Sequence, residues 1–369
     1  MKKVLFLINS LGEGGAEKVL VNLAKNLDKS KYDITVMTLF DIGVNKGSLP
    51  DDVRYLSHFK RMPRGNSHIM KGFSSKALHR YFIKDKYDIE IAFLEGPCAR
   101  IISGCEDEKT KLISWTHCTW HSESEFAQSY RSLKEARDCC GRFDTNIFVS
   151  HGVQEAFEKY CQVDNKEVIY NINDSDRILE MAAESVEDVV FDPKKFNIVS
   201  VGKVIPVKGF DRLARIHKRL LDGGYQVHTY ILGIGRQQNE IEDYCIANGI
   251  QDSFTFLGYQ QNPYKYLSRA DLFVCSSLSE GLSTAVTEAL IVGVPVVTTD
   301  VSGMRELLGE NGEYGIIVEN NETALETAIR QLISSEDMRR KYALLALERG
   351  KEFSKEKAIN TVEHLLDSI

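Results

Sequence analysis

Short apolar runs alternate with amphipathic stretches along the whole chain. Residues 3–8 (KVLFLI) form the first run. NSLGEGGAEKVLVNLAKNL follows, in which Val19, Leu20, Leu23, Ala24 and Leu27 recur at helical spacing. That spacing lays one apolar face on a sheet. YDITVMTLF at residues 32–40 predicts a second strand, so the chain opens as a βαβ unit. Further strands are predicted at residues 89–93, 111–115, 146–150 and 167–170, with helical stretches between them. Residues 171–195 turn polar and acidic and are expected to link two domains. The pattern then restarts, with strands predicted at residues 197–201, 227–232, 253–257, 271–275 and 295–299. Most of these run into Gly or Ser near the carboxyl end. Two α/β halves of this kind imply ligand loops at the strand ends and a ligand in the cleft between the halves.

Length and composition narrow the class. A chain of 369 residues suits two domains, and 43% hydrophobic with 27% charged residues is ordinary for a globular protein. The net charge of −7 argues against nucleic acid as the default partner. The basic, apolar start MKKVLFLINS has to be weighed as a signal peptide. Its run is short and leads into a Gly turn and an amphipathic helix, so a strand is expected instead. The eight cysteines form no CxxC pair, which predicts reduced thiols, some of them packed in the core.

The candidate chemistry collects in the second half. SEGLSTAVTEAL, from Ser279 to Leu290, follows a predicted buried strand, and Ser283 or Thr284 would cap a helix that runs through Glu288. Free N–H groups at the positive end of a helix dipole favour a phosphate. Glu280 and Glu288 bracket that position, and carboxylates there suit hydroxyl groups on either side of a phosphate. GKVIPVKGF, from Gly202 to Phe210, adds Lys203 and Lys208 within reach of a diphosphate. Gly233 and Gly258 end two other predicted strands, where a nucleobase would lie against backbone.

As an ordered set these residues resemble the retaining glycosyltransferases of family 4. Their E-x7-E motif matches Glu280 and Glu288. Their G-R-x4-K-G motif matches Gly202 to Gly209, with Lys203 in place of the usual arginine, which loses the planar two-pronged grip of a guanidinium. Gly14, Gly15, Ala16 and Glu17 resemble the family's Gly-rich first loop, and His117 stands where many members carry an active-site histidine. The resemblance implies an α/β fold of the GT-B kind, two Rossmann-like domains with parallel sheets facing across a cleft. Residues 1–175 would bind the acceptor, residues 176–352 the nucleotide-sugar, and residues 353–369 would form a helix crossing back to the first domain. It further implies that Glu288 holds the ribose, and that Glu280 with the amides of Gly281 and Leu282 holds the donor sugar. Lys208 and Lys203, with the amides of Ser283 and Thr284, would neutralise the leaving diphosphate. His117 would touch the donor sugar or position the acceptor. The implied reaction is a retaining, metal-independent hexosyl transfer needing no cofactor. A hexose or N-acetylhexosamine would pass from a UDP-sugar to a glycan or lipid-linked acceptor in capsule or lipopolysaccharide synthesis.

From Val53 to Lys84 the chain carries eight Lys or Arg, three His and no Asp or Glu. Met70, Phe73, Ala77, Leu78, Tyr81 and Phe82 recur there at helical spacing. Such a segment suits an anionic membrane surface or a polyprenyl-diphosphate acceptor, so the protein is expected in the cytoplasm, peripheral on the inner face of the plasma membrane. Two other enzyme classes compete. A nucleotide-sugar epimerase of the same fold would use the same donor loops. An NAD-dependent oxidoreductase would use Gly12, Gly14 and Asp41, but Glu17 stands where that fingerprint needs its third glycine.

Overall fold

The computed structural model describes residues 1–12, 14–61 and 70–369. The chain divides into two compact units, Met1–Ile172 with Glu356–Ile369, and Asn173–Lys355. Each is a Rossmann-like α/β unit on one parallel sheet.

In the first unit the strands are β1 (Lys2–Ile8), β2 (Tyr32–Phe40), β3 (Arg54–Phe59), β4 (Ile89–Ala92), β5 (Lys111–Thr116), β6 (Thr145–Phe148) and β7 (Lys166–Val168). Their order is β3-β2-β1-β4-β5-β6-β7, and every pairing is parallel. β1 lies inside the sheet with Val4 to Ile8 fully buried, which explains why it reads as an unbroken apolar run. The last helix, Lys355–Ser368, buries Ile359, Val362, Leu365 and Leu366. Its end is tied to β1 and β2: Lys2 Nζ donates to the carbonyl of Leu366 at 2.7 Å, and the Tyr32 hydroxyl to Asp367 Oδ1 at 2.6 Å.

The second unit contains β8 (Phe196–Val201), β9 (Val227–Leu232), β10 (Phe254–Gly258), β11 (Leu272–Cys275), β12 (Val296–Thr299) and β13 (Ile316–Val318). The order is β10-β9-β8-β11-β12-β13, again wholly parallel. In both sheets the winding reverses beside the first strand, between β1 and β4 and between β8 and β11. Those are the switch points where open α/β sheets receive ligands.

Some expectations change. β3 and β13 are not predicted by pattern: β3 is a half-covered edge strand of mixed polarity, and β13 has only three residues. Residues 171–195 are not simply a linker, because the helix Ser175–Ala182 belongs to the second unit. Asp174 and Asp176 are helix-start residues whose carboxylates hold Lys355 Nζ at 3.3 and 3.0 Å. The basic segment is not one amphipathic helix. It begins as β3, its residues 62–69 lie outside the described residues, and its helix spans only Ser75–Phe82. There Leu78 and Phe82 enter the core, while Phe73 and Tyr81 stay exposed, because the helix lies on the sheet along one narrow stripe. Among the described residues, no helix is long and apolar enough to cross a membrane. All eight cysteines are free thiols, seven of them buried.

Candidate functional site

At the switch point of the second sheet, the loop after β8 meets the loop after β11. Gly209 closes the first loop in the left-handed region, φ 65°. A Cβ there would lie 2.2 Å from the Ser276 carbonyl oxygen, so only glycine lets the loops approach this closely. The contact is fixed from both sides: Leu278 N donates to the Val207 carbonyl at 2.7 Å, and Ser276 Oγ to the Lys208 carbonyl at 2.9 Å. Lys208 Nζ then bridges both Glu280 oxygens, at 2.6 and 2.9 Å, and Ser277 Oγ donates to Glu280 Oε1 at 2.5 Å. Burial opposes the Lys208 charge, but the Glu280 carboxylate outweighs it and holds the ammonium above its ordinary value.

Arg212, buried in the first turn of the helix Phe210–Asp222, locks the same loop from below. Its guanidinium donates to the carbonyls of Ser276 and Ser277 at 2.7 Å each, and to Asn320 Oδ1 at 2.7 Å. Pattern reading overlooks this residue. The available signal is a cation on the buried stripe that Phe210, Leu213 and Ala214 define. After β11, Ser283 caps the helix Thr284–Val292 by accepting from Val286 N. Thr284 is the first residue of that helix, and Gly281 and Leu282 lead into it. Glu288 lies in the middle of this helix, 3% exposed, and Tyr264 donates its hydroxyl to Glu288 Oε1 at 3.2 Å.

The glycine loops knit three strand ends together. Gly202 N donates to the Leu232 carbonyl at 2.9 Å, and Gly233 N to the Gly258 carbonyl at 2.7 Å. A Cβ on Gly233 would lie 1.9 Å from the Gly202 carbonyl oxygen. Lys203 follows Gly202, half-buried. Thus Gly202, Lys203, Lys208, Gly233, Glu280, Gly281, Leu282, Ser283 and Thr284 stand on loops or at the helix start after β8, β9 and β11 of one sheet, with Gly258 ending β10 and Glu288 midway along the helix after β11.

Gly14, Gly15 and His117 belong to the first unit. Gly14 is the cap position and Gly15 the first residue of the helix Gly15–Asn26; a Cβ on Gly14 would strike the Glu17 carboxylate. Asp41, the would-be ribose ligand of an oxidoreductase, instead accepts from Lys46 at 2.6 Å and from the Tyr55 hydroxyl at 2.9 Å. His117 follows β5, and its backbone N donates to Glu95 Oε2 at 3.0 Å. Burial pushes its imidazole down to about 3, so it is neutral near pH 7. Among the described residues, its Nε2 is buried without a hydrogen-bond partner. One group of metal-ligand type occurs among the described residues, His79, Glu90 and Cys105, with ligand atoms within 4.8 Å of one another. His79 Nε2 and Glu90 Oε2 are already paired at 2.8 Å. Burial disfavours the His79 charge, but Cys105 and Glu90 outweigh it and raise the imidazole to about 9, which makes the pair ionic.

Comparison with known proteins accounts for both units. Residues 13–177 match the family model described as Glycosyltransferase Family 4, and residues 182–346 match Glycosyl transferases group 1. The chain is 27% identical to a Campylobacter jejuni protein, the N-acetylgalactosamine-N,N'-diacetylbacillosaminyl-diphospho-undecaprenol 4-alpha-N-acetylgalactosaminyltransferase. That alignment covers 99% of this chain and 100% of the relative. Over 39% of the chain and 38% of the relative it is 29% identical to the capsular polysaccharide biosynthesis glycosyltransferase CapM of Staphylococcus aureus. Among solved structures, Anabaena HepE in complex with UDP and glucose superposes with a TM-score of 0.79 at 20% identity, covering 100% of each chain. Sucrose-phosphate synthase from Thermosynechococcus elongatus gives 0.82 at 15% identity, covering 100% of this chain and 99% of that one.

Proposed function

We propose, from the premise that the chain belongs to the glycosyltransferases of family 4, that it moves a hexose or N-acetylhexosamine from a UDP-sugar to a lipid-linked glycan in surface polysaccharide synthesis. The observation that carries this reading is the Lys208–Glu280 pair, seated at a sheet switch point beside a capped helix start and the buried Glu288. Lys208 offers three donor positions on one ammonium, so a diphosphate can engage it while Glu280 retains another. With Lys203 and the free amides of the Thr284–Val292 helix start, it opposes the negative charge that grows as the nucleoside diphosphate leaves. Glu288 holds the ribose hydroxyls, and Glu280, with the amides of Gly281 and Leu282, holds the donor sugar.

Retention follows from front-face attack, in which the departing phosphate takes the acceptor's proton. Both Glu280 oxygens already accept hydrogen bonds from Lys208, which suits the carboxylate to holding hydroxyls and blunts it as a nucleophile. In this reading, lysines and helix dipole do the work of a divalent metal, and His117, neutral, hydrogen-bonds sugar hydroxyls. The named C. jejuni relative, with its undecaprenol-linked substrate, supports a polyprenyl-diphosphate acceptor. The enzyme then works at the cytoplasmic face of the membrane. Phe73 and Tyr81, 56% and 58% exposed, are the apolar groups that would meet the lipid. Lys76 and Arg80 are both paired with Glu106, so the free positive charge there is smaller than composition implies.

Thermal unfolding with UDP, GDP, ADP or NAD, for wild type and Glu288→Gln, tests the donor assignment. At 100 times its dissociation constant a ligand adds about 2.7 kcal/mol, a shift of a few degrees. UDP should stabilise wild type and lose most of that effect in the variant. Stabilisation by NAD alone would overturn the reading. Turnover in excess EDTA and the anomeric configuration of the product test the mechanism. Flotation on anionic against neutral liposomes tests the membrane surface.

A further inference from the structure

β4 is wholly buried, yet one of its four residues is a carboxylate: Glu90 stands between Ile89 and Ile91 and is 2% exposed. A buried charge persists only where its partners repay the lost hydration. Here the partners are His79, on the helix Ser75–Phe82, and Cys105, three residues after the helix Pro97–Ile102. An imidazole nitrogen, a carboxylate oxygen and a thiol sulfur thus converge from three separate elements, all within 4.8 Å of one another.

The loop that carries Cys105 is anchored to the helix that carries His79. Gly104 passes so close to the helix start that a Cβ there would lie 2.1 Å from the Ser75 carbonyl oxygen. Glu106 is held by Lys76 at 2.9 Å and by Arg80 at 2.5 Å, residues on either side of His79 in that helix. The Cys105 carbonyl accepts from Arg142 Nη2 at 2.6 Å. Surface ion pairs add little stability, but together these contacts fix the backbone beneath the thiol, the preorganisation that a metal site needs.

The donor set selects the cation. Oxygen-only sites suit magnesium or calcium, whereas nitrogen, oxygen and sulfur together suit zinc. Zinc bonds of about 2.0 Å to nitrogen or oxygen and 2.3 Å to sulfur, at tetrahedral angles, set the donors about 3.3–3.5 Å apart. His79 Nε2 and Glu90 Oε2, now 2.8 Å apart, would open by about 0.5 Å, and the widest contact would close by about 1.3 Å or less. Cys105 Sγ meets the Asp107 carbonyl at 3.9 Å, a long contact even for sulfur, so the thiol gives up little there on losing its proton.

We infer that His79, Glu90 and Cys105 form a zinc site, with water as the fourth ligand on the side of His79, the most exposed of the three. As zinc enters, Zn–N and Zn–S bonds form, the imidazolium N–H and the thiol S–H each release a proton to solvent, and the Glu90 carboxylate coordinates as it is. The ion would staple to β4 a helix of eight residues that buries only Leu78 and Phe82. The inference stands apart from the transferase reading, whose donor loops lie in the second unit.

Cobalt, a coloured substitute for zinc, tests it on the full chain after stripping with a chelator. One equivalent should give a thiolate-to-cobalt band in the near ultraviolet together with the visible bands of a tetrahedral site. One equivalent of zinc should abolish both, and an excess of magnesium or calcium should not. Cys105→Ser should lose the ultraviolet band. His79→Gln should weaken cobalt binding by at least about 100-fold, the upper end of what loss of a mere supporting group costs, while the variant still unfolds cooperatively. If Cys105→Ser fails to fold, wild type and His79→Gln still decide the matter. No thiolate band in wild type, or one that survives unchanged in His79→Gln, would overturn the inference and leave a buried ion pair beside a thiol.

Discussion

Single positions carry more of this site than their residue types announce. Gly209→Ala forces a left-handed backbone on a residue with a Cβ and drives that carbon into the Ser276 carbonyl. The conformation alone costs about 1–2 kcal/mol, and the clash adds to it. Chemical denaturation should show a loss above that figure, and turnover should fall because Lys208 immediately precedes it. His217 behaves differently. It is wholly buried, bonded to Thr229 Oγ1 and Ser253 Oγ at 2.9 Å each, and burial pushes it down to about 3. Its folded pKa lies below the unfolded value of about 6.5, so below that pH the unfolded chain binds the extra proton. Stability is therefore intact above pH 6.5 and falls with acid by up to about 1.4 kcal/mol per pH unit. His217→Gln should flatten that slope in denaturant titrations between pH 6.5 and 5. At this scale the sequence names Lys208, Glu280 and Glu288 by spacing. It is silent on Arg212 and Ser277, whose roles exist only through contacts with distant backbone.

At the scale of elements, the site is a set of loops held together by backbone hydrogen bonds and one buried cation. Arg212 joins the first turn of its helix to the loop after β11 and to Asn320. Arg212→Met keeps the apolar stem but removes the guanidinium donors to the Ser276 and Ser277 carbonyls, the latter keeping only the Thr299 hydroxyl. The expected loss is about 3–5 kcal/mol of stability, visible as a lower denaturation midpoint. Part of the UDP stabilisation should go with it, since Ser277 also fixes Glu280. Arg212→Lys should recover little, because an ammonium cannot span three acceptors in a plane. Most interior strands are legible as apolar runs, since a parallel strand buried on both faces has no polar side to show. β3 and β13 are not, one because it lies at an edge and the other because it is so short. The helix Ser75–Phe82 shows the same limit: its periodicity is real, but packing sends Leu78 inward and leaves Tyr81 exposed.

For the molecule as a whole, the last helix is the piece whose place the local pattern leaves open. Lys355–Ser368 buries Leu366 completely and accepts hydrogen bonds from Lys2 and Asp28. Leu366→Ala should destabilise the first unit by about 2–5 kcal/mol. Proteolysis coupled to mass spectrometry should find cleavage in that unit rising well before cleavage in the second. By itself the sequence determined the α/β class, the two-fold restart of the pattern, the order of the motif loops and their resemblance to the family 4 glycosyltransferases. These depend on local apolar spacing and on residue types at fixed separations along one stretch of chain. Only the tertiary structure decided that Lys208 and Glu280 form a pair, that Arg212 locks their loops and that Asp41 is already engaged. Each of those facts joins residues tens of positions apart, and their distance is set by sheet order and packing, which no local pattern encodes.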